Sequence, residues 1–334
     1  MPSPASAAPP PGRLLLAPME GLADDVLREI LTDIGGYDWA VTEFVRVSAN
    51  CLPKRAFLRV SPELKNGGRT RAGTPVWVQL LGSAPEILAQ NAAALSRLDP
   101  PGIDLNFGCP APAVNRHGGG AALLEDPELL LCIARAVRAA VPPAIPVSAK
   151  MRLGIEDTSR ALDCARALDE GGIQRLVVHA RTKAEMYRPP AHWEWIARIR
   201  AAVRVPVVAN GEVWSAADYH RCRAESGAAD VMLGRGAVAD PFLARRLRHD
   251  EIPDRAAEWE ALRPHLAHFW ARVRAKVEAR HAPGRIKLWL GMLRRHYPMA
   301  VPLYTAIRSL RRCDEVEHLL VQNGIPAVAS GFPD

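Results

Sequence analysis

The chain from Arg13 to about Leu247 repeats one pattern eight times: a short apolar run, then a stretch with helical periodicity. The runs are, in order, RLLLAP, WAVTEF, PVWVQLLG, GIDLNFG, PVSAKMRLG, RLVVHAR, PVVANGEV and DVMLGRG, spaced roughly 25 to 43 residues apart. Between them lie segments such as EDPELLLCIARAVRAAV and DTSRALDCARALDEGG, with polar helix starts and Gly or Pro stops. Near-continuous apolar runs are strands covered on both faces, as in parallel sheets with helical crossovers. Eight such units fit a TIM (β/α)8 barrel, with an open doubly wound sheet as the alternative. The expected division is a disordered tail at 1–12, a barrel at 13–247 and a small all-helical domain at 248–334.

The charge supports that division. Lys and Arg exceed Asp and Glu by seven, 43 against 36. Residues 1–244 hold 27 basic and 26 acidic side chains, whereas residues 245–334 hold 16 and 10. From Arg272 to Arg312 eleven cations accompany a single acid, Glu278. Such an excess is expected of a phosphate-backbone surface. Six scattered cysteines form no CxxC pair, which signals neither zinc nor a disulfide framework and fits a reducing cytoplasm. No apolar run reaches membrane-spanning length, and the opening residues lack a signal-peptide pattern.

Chemistry in a barrel sits where strands end. The strand ends here carry Pro18-Met19-Glu20, Thr42-Glu43, Gln79, Asn106 with Cys109, Lys150, His179 with Arg181, Asn210-Gly211-Glu212 and Gly234-Arg235-Gly236. The glycines after strands seven and eight, with Arg235, suit a phosphate cradle. GRGAVA also matches a dinucleotide fingerprint, but no later strand supplies its acid. Lys150 is one of only six lysines beside 37 arginines. At a strand end it can form a Schiff base or balance an anionic ring such as a reduced flavin. Gln79 and Asn210 offer paired donors and acceptors to a heterocycle edge. Cys109, in the Gly-flanked turn NFGCP, has a thiol mostly protonated at neutral pH, which can serve as a proton donor as readily as a nucleophile. The other five cysteines read as structural, and HGGGAALL after the turn reads as a mobile stretch. HGGG without a GxSxG elbow gives hydrolase chemistry little weight.

Taken together, LLLAPMEGLAD, VTEFVR, VWVQLLG, DLNFGCPAPAVNRHGGGAALL, KMRLG, VVHART, VVANGEV and VMLGRGA resemble the tRNA-dihydrouridine synthases, flavin enzymes that reduce uridines in tRNA. The resemblance spans about residues 13–320. Through EFVRV and GRIKLWLGMLR it is nearest to the bacterial C-type group, which acts on U16 of the D loop. It implies FMN bound by Ala17, Pro18, Met19, Gln79, Lys150, His179, Asn210, Gly211, Glu212, Gly234 and Arg235. NADPH is the implied reductant: hydride passes from flavin N5 to uracil C6, and Cys109 protonates C5 of a flipped-out base. Arg46, Asn106 and Tyr187 are the implied base contacts. Arg285, Lys287, Met292 and Arg308 are positions that set how tRNA lies on the enzyme, although Met292 stands where a tyrosine is expected. The expected partner is tRNA, and the expected protein is a cytoplasmic monomer without metal or membrane association. Rival readings are a dihydroorotate dehydrogenase-like flavin barrel acting on a small molecule, a Schiff-base aldolase using Lys150, and a non-catalytic tRNA-binding protein.

Overall fold

A computed structural model describes residues 12–327 of the chain. The expected tail therefore lies outside the described residues apart from Gly12, whose carbonyl accepts from Arg248 at 3.0 Å. Eight parallel strands close into a barrel in sequence order. They are β1 (Leu14–Leu16), β2 (Trp39–Arg46), β3 (Val76–Leu81), β4 (Ile103–Phe107), β5 (Val147–Arg152), β6 (Arg175–His179), β7 (Val207–Asn210) and β8 (Val231–Leu233). Around them lie α1 (Asp25–Ile34), α2 (Lys54–Val60), α3 (Pro85–Ser96), α4 (Pro112–Asn115), α5 (Pro127–Ala140), α6 (Ala161–Glu170), α7 (Trp193–Ala202), α8 (Ala216–Ser226), α9 (Arg235–Ala239) and α10 (Leu243–His249). The tail adds α11 (Arg255–Lys276), α12 (Ala282–Leu293), α13 (Ala300–Ile307) and α14 (Cys313–Gln322). The expected boundary after residue 247 falls within α10. Among the described residues no helix is long and apolar enough to cross a membrane.

Strand periodicity explains both the core and the site. Residues two apart share a face, so each strand sends one set outward to the helices and the other into the lumen. Ala149 and Met151 of β5 join the outer core, while Ser148, Lys150 and Arg152 face inward. The lumen is filled by Leu15, Ala17, Trp39, Val41, Trp77, Val177, Val208 and Met232. Trp39 and Trp77 stack with ring centroids 5.6 Å apart near the strand starts, closing that end. One step of two residues further along β3, β6, β7 and β8 come Gln79, His179, Asn210 and Gly234. The apolar lumen is thus the floor of a polar layer.

The tail is locked to the barrel. Trp289 of α12 donates to Val238 of α9 at 3.2 Å and packs edge-on against Phe269 of α11. Arg246 and Arg255 pair with Asp240 and Glu258, and the Tyr297 hydroxyl lies 3.2 Å from an oxygen of each carboxylate. The run of tail cations is less bare than the sequence implies. Arg272, Lys276 and Arg285 meet Glu29, Asp25 and Asp24 on and just before α1, brought in from about 250 residues away. Arg274, Arg280 and Arg312 pair within the tail. Six of the eleven cations therefore already have carboxylate partners. Arg308 and Arg311 are exposed without an ion pair among the described residues.

Candidate active site

Residues from all eight strand ends line one cavity of about 520 Å³. Ala17, Met19, Glu43, Gln79, Cys109, Lys150, His179, Asn210 and Arg235 all border it. The inward parity of the strands brings them together, and register aligns neighbouring ends: Asn106 with Lys150, Arg152 with His179, and His179 with Asn210.

Cys109 follows β4 on a turn built by Asn106. The Asn106 Oδ1 accepts from Gly108 N at 3.0 Å and from Cys109 N at 2.9 Å. Its Nδ2 donates to Gln79 Oε1 at 2.7 Å, and Gln79 Nε2 donates to Asp104 Oδ2 at 2.6 Å. Ser148 donates to the other Asp104 oxygen. Gln79 is itself placed by a register shift between β2 and β3, where its backbone N–H donates to Thr42 Oγ1 at 3.1 Å. Counting valences, Asn106 has one amide hydrogen left, so it is chiefly the scaffold of the Cys109 turn; Gln79 retains one donor and one acceptor.

The expected mobile HGGGAALL stretch is instead packed beneath Cys109. Asn115 donates to the Cys109 carbonyl at 2.8 Å and Ala121 N donates to it at 3.0 Å. At Gly120 the backbone has φ +62°, and a Cβ would lie 2.7 Å from the Cys109 carbonyl oxygen, so only glycine fits. Burial pushes the Cys109 thiol upward, with the charge of Glu20 adding to the effect and Arg152 and Arg46 opposing it. The thiol is consequently protonated at neutral pH. Cys164 and Cys222 are buried core residues, whereas Cys51 and Cys132 are exposed and do not serve the core.

The wall beside this turn, from β5 onward, carries the cations. Lys150 makes no hydrogen bond or ion pair among the described residues, and burial lowers its ammonium to about 8. Burial and the cations Arg152, Lys150, Arg181 and Arg235 hold the His179 imidazole well below its ordinary value, so it is neutral. Gly211 has φ +119°, and a Cβ there would press His179 Cδ2 at 2.9 Å. Asn210 Nδ2 donates to Met232 O at 2.9 Å, fixing its amide. Glu212 does not turn its carboxylate to an anion: it is occupied by Arg181, by Trp214 Nε1 at 3.0 Å and by Arg235 at 3.9 Å. The guanidinium of Arg235 lies 4.6 Å from the Tyr187 ring and 5.1 Å from that of Trp214, over which Arg295 of the tail also sits at 4.0 Å. Tyr187 is 46% exposed at the cavity mouth.

The remaining expected contacts spread out. Arg46 borders a separate small cleft and donates to Ala113 O of α4 at 3.3 Å. Arg285 donates to Gly21 O at 2.7 Å, and its Nη2 lies 2.8 Å from Asp24, so it grips the loop that leaves β1. Lys287 donates to Leu310 O, Met292 packs against the core, and Arg308 stands exposed. Asp104, Arg152, Trp214 and Arg295 were not singled out from the sequence. For Asp104 and Arg152 the signal was present: each lies two residues from an expected site residue on the same strand face.

The residues fit a flavin. Among the described residues Lys150 faces the cavity without a partner, Gln79 has a spare donor and acceptor, and Arg181 Nη1 is buried without a hydrogen bond. A flat, anionic heterocycle with a phosphate at the glycine-rich rim satisfies this set.

The family model for dihydrouridine synthase matches residues 15–296. The tRNA-dihydrouridine(16) synthase of Cupriavidus necator is 58% identical over 320 residues, covering 95% of this chain and 98% of that protein. Its counterpart in Aquipseudomonas alcaligenes is 56% identical over 311 residues, covering 92% and 98%. The solved structure of an old yellow enzyme homologue from Zymomonas mobilis shares the fold, with a TM-score of 0.50 at 13% identity over 72% of this chain and 90% of that one. A family match that runs through the barrel and α12, joined to relatives identical at more than half of the aligned positions, shows that the chain belongs to the dihydrouridine synthase family.

Proposed function

We propose that this chain is an FMN-dependent tRNA-dihydrouridine synthase that saturates the C5=C6 bond of a D-loop uridine, U16, with NADPH as reductant. The observation that carries the reading is a protonated thiol, Cys109, sharing one cavity with the cations Lys150 and Arg235 and with a neutral His179. The relatives named as position-16 synthases support the site of modification.

Bound flavin supplies the hydride equivalent that enters at C6. The chain's own part is to hold the reactants and the proton. Lys150 is the cation of the polar layer, available to an anionic ring because no described residue pairs with it. Gln79 presents one donor and one acceptor to the ring edge, and the backbone at Gly211 and Gly234 with Arg235 accommodates a phosphate. Hydride addition at C6 leaves enolate charge conjugated to the C4 carbonyl, and C5 then needs a proton. Cys109 provides it, since burial keeps the sulfur protonated until the acceptor forms. A base reaches this depth only when flipped out of its stack, and Tyr187 at the mouth offers a ring face to receive it.

The barrel acts as the catalytic domain and the helices after α10 as a tRNA platform, with Arg308 and Arg311 as its uncommitted cations. A cytoplasmic monomer suits a substrate of this size. NADPH oxidation is measured with unmodified tRNA and with small pyrimidines; turnover with tRNA alone supports the reading. Turnover only with the small pyrimidines identifies a dihydroorotate dehydrogenase-like enzyme instead.

A further inference from the structure

Arg152 closes β5 with 1% of its surface exposed, and neither flavin nor tRNA has been assigned to it. Its side chain bridges two loops that leave different strands. Nε donates to Gly108 O at 2.9 Å, on the turn before Cys109. Nη1 donates to Thr182 O and to Met186 O, both at 2.8 Å, on the loop after β6. The guanidinium also lies 5.3 Å from the ring of Tyr187. Three backbone carbonyls accept, and the Tyr187 side chain adds a hydrogen bond from the second loop, so the bridge follows the path of both loops. A planar guanidinium can serve both loops at once because its N–H groups diverge in fixed directions; a lysine ammonium at the end of a flexible stem has no such fork.

We propose that Arg152 is a positioning residue that holds the Cys109 turn and the Tyr187 loop as one unit. The proposal rests on the reading of Cys109 as proton donor and Tyr187 as base contact. Its consequence is a fixed distance between the acid and the ring that receives the base. Proton transfer is sensitive to that distance, since a misplacement of about 1 Å can cost about 10²-fold in rate. Asn106 fixes the Cys109 turn from below, through β3 and β4. Arg152 fixes it from the side, relative to the substrate mouth.

The test uses flavin-loaded full-length protein and the variants Arg152→Met and Arg152→Lys. Hydrogen exchange is followed in residues 106–120 and 182–192, with flavin content, kcat and KM for tRNA measured on the same preparations. Arg152→Met is expected to retain flavin, to speed exchange in both segments while β3 and β7 stay protected, and to lower kcat about 10²-fold. Arg152→Lys, which keeps the charge and can reach fewer carbonyls at a time, is expected to recover only part of kcat and to leave at least one segment fast. Exchange that rises in one segment or in neither overturns the proposal. So does a loss spread evenly over the barrel with kcat per flavin-loaded molecule unchanged. If wild-type protein lacks turnover on tRNA, the synthase reading fails, while the paired exchange response still decides whether Arg152 joins the loops. Should Arg152→Met fail to fold, Arg152→Lys decides: at least one of the two segments fast together with a lowered kcat supports the proposal, and any other result overturns it.

Discussion

Asn106 Oδ1 lies 2.9 Å from the backbone nitrogen of Cys109, so a single amide sets the turn on which the thiol stands. Behind Asn106 the donors run through Gln79 to the buried carboxylate of Asp104, which also accepts from Ser148. Burial pushes the Asp104 carboxyl upward, while the two donors and the Lys150 charge oppose that push. An acceptor at the far end fixes the polarity of every amide in the series.

Asn106→Ala therefore leaves two backbone N–H groups and one acceptor on Gln79 without partners. The expected cost is about 1 to 3 kcal/mol of stability, the range for buried polar groups left unpaired. Flavin is retained and turnover falls at least tenfold. Chemical denaturation and single-turnover reduction of tRNA measure both. A variant with wild-type stability and rate contradicts the role given to this amide.

Proton donation by Cys109 fixes the pH dependence. The thiol is raised above its ordinary value, first by burial and then by Glu20. The donor form is complete below that raised value and is lost as pH rises through it. Turnover under flavin-saturated conditions is expected to hold through neutral and mildly alkaline pH and to decline only above the ordinary thiol range. A decline beginning near neutrality would show that a thiolate, or another group, is the acid.

Lys150 titrates at about 8 in the flavin-free protein because burial disfavours its charge. An anionic ligand beside it favours the ammonium, so flavin binding takes up protons near this pH. Affinity for the oxidised cofactor should weaken as pH rises through about 8, and Lys150→Met should remove that dependence while lowering affinity at neutral pH. Calorimetry of flavin binding in two buffers of different ionisation enthalpy reports the uptake. Equal apparent enthalpies in both buffers would contradict it.

The two tail arginines are expected to behave differently. Arg285 is committed to Gly21 and Asp24 on the loop that carries Met19 and Glu20 toward the cavity. Arg285→Ala should reduce flavin content as well as tRNA affinity. Arg308 is exposed and pairs with no acid among the described residues, so Arg308→Ala should leave flavin untouched and lower the salt slope of tRNA binding by about one or less. Identical flavin contents and identical salt slopes for the two variants would remove the distinction.

The barrel and its ring of site residues were legible because both follow from a period of two. RLVVHAR places Val177 in the lumen and therefore His179 above it; VVAN does the same with Val208 and Asn210. Partners far apart in sequence were not legible. The acids that neutralise Arg272, Lys276 and Arg285 sit on and just before α1, so counting charge along the chain left the tail looking bare. Glu212 likewise reads as a site residue beside NG, and only the fold shows its carboxylate turned to Arg181 and Trp214. Arg295 gave no local signal, since its relation to Trp214 exists only once α12 docks on the barrel.

The measurement that tests the account most directly is mass-spectrometric mapping of dihydrouridine in tRNA from cells lacking this protein, complemented with the wild-type chain or with Cys109→Ala loaded with flavin. The account expects dihydrouridine at position 16 to vanish, to return with the wild-type chain and to stay absent with Cys109→Ala. Dihydrouridine at position 16 that persists without the protein, or that returns fully with Cys109→Ala, would contradict it.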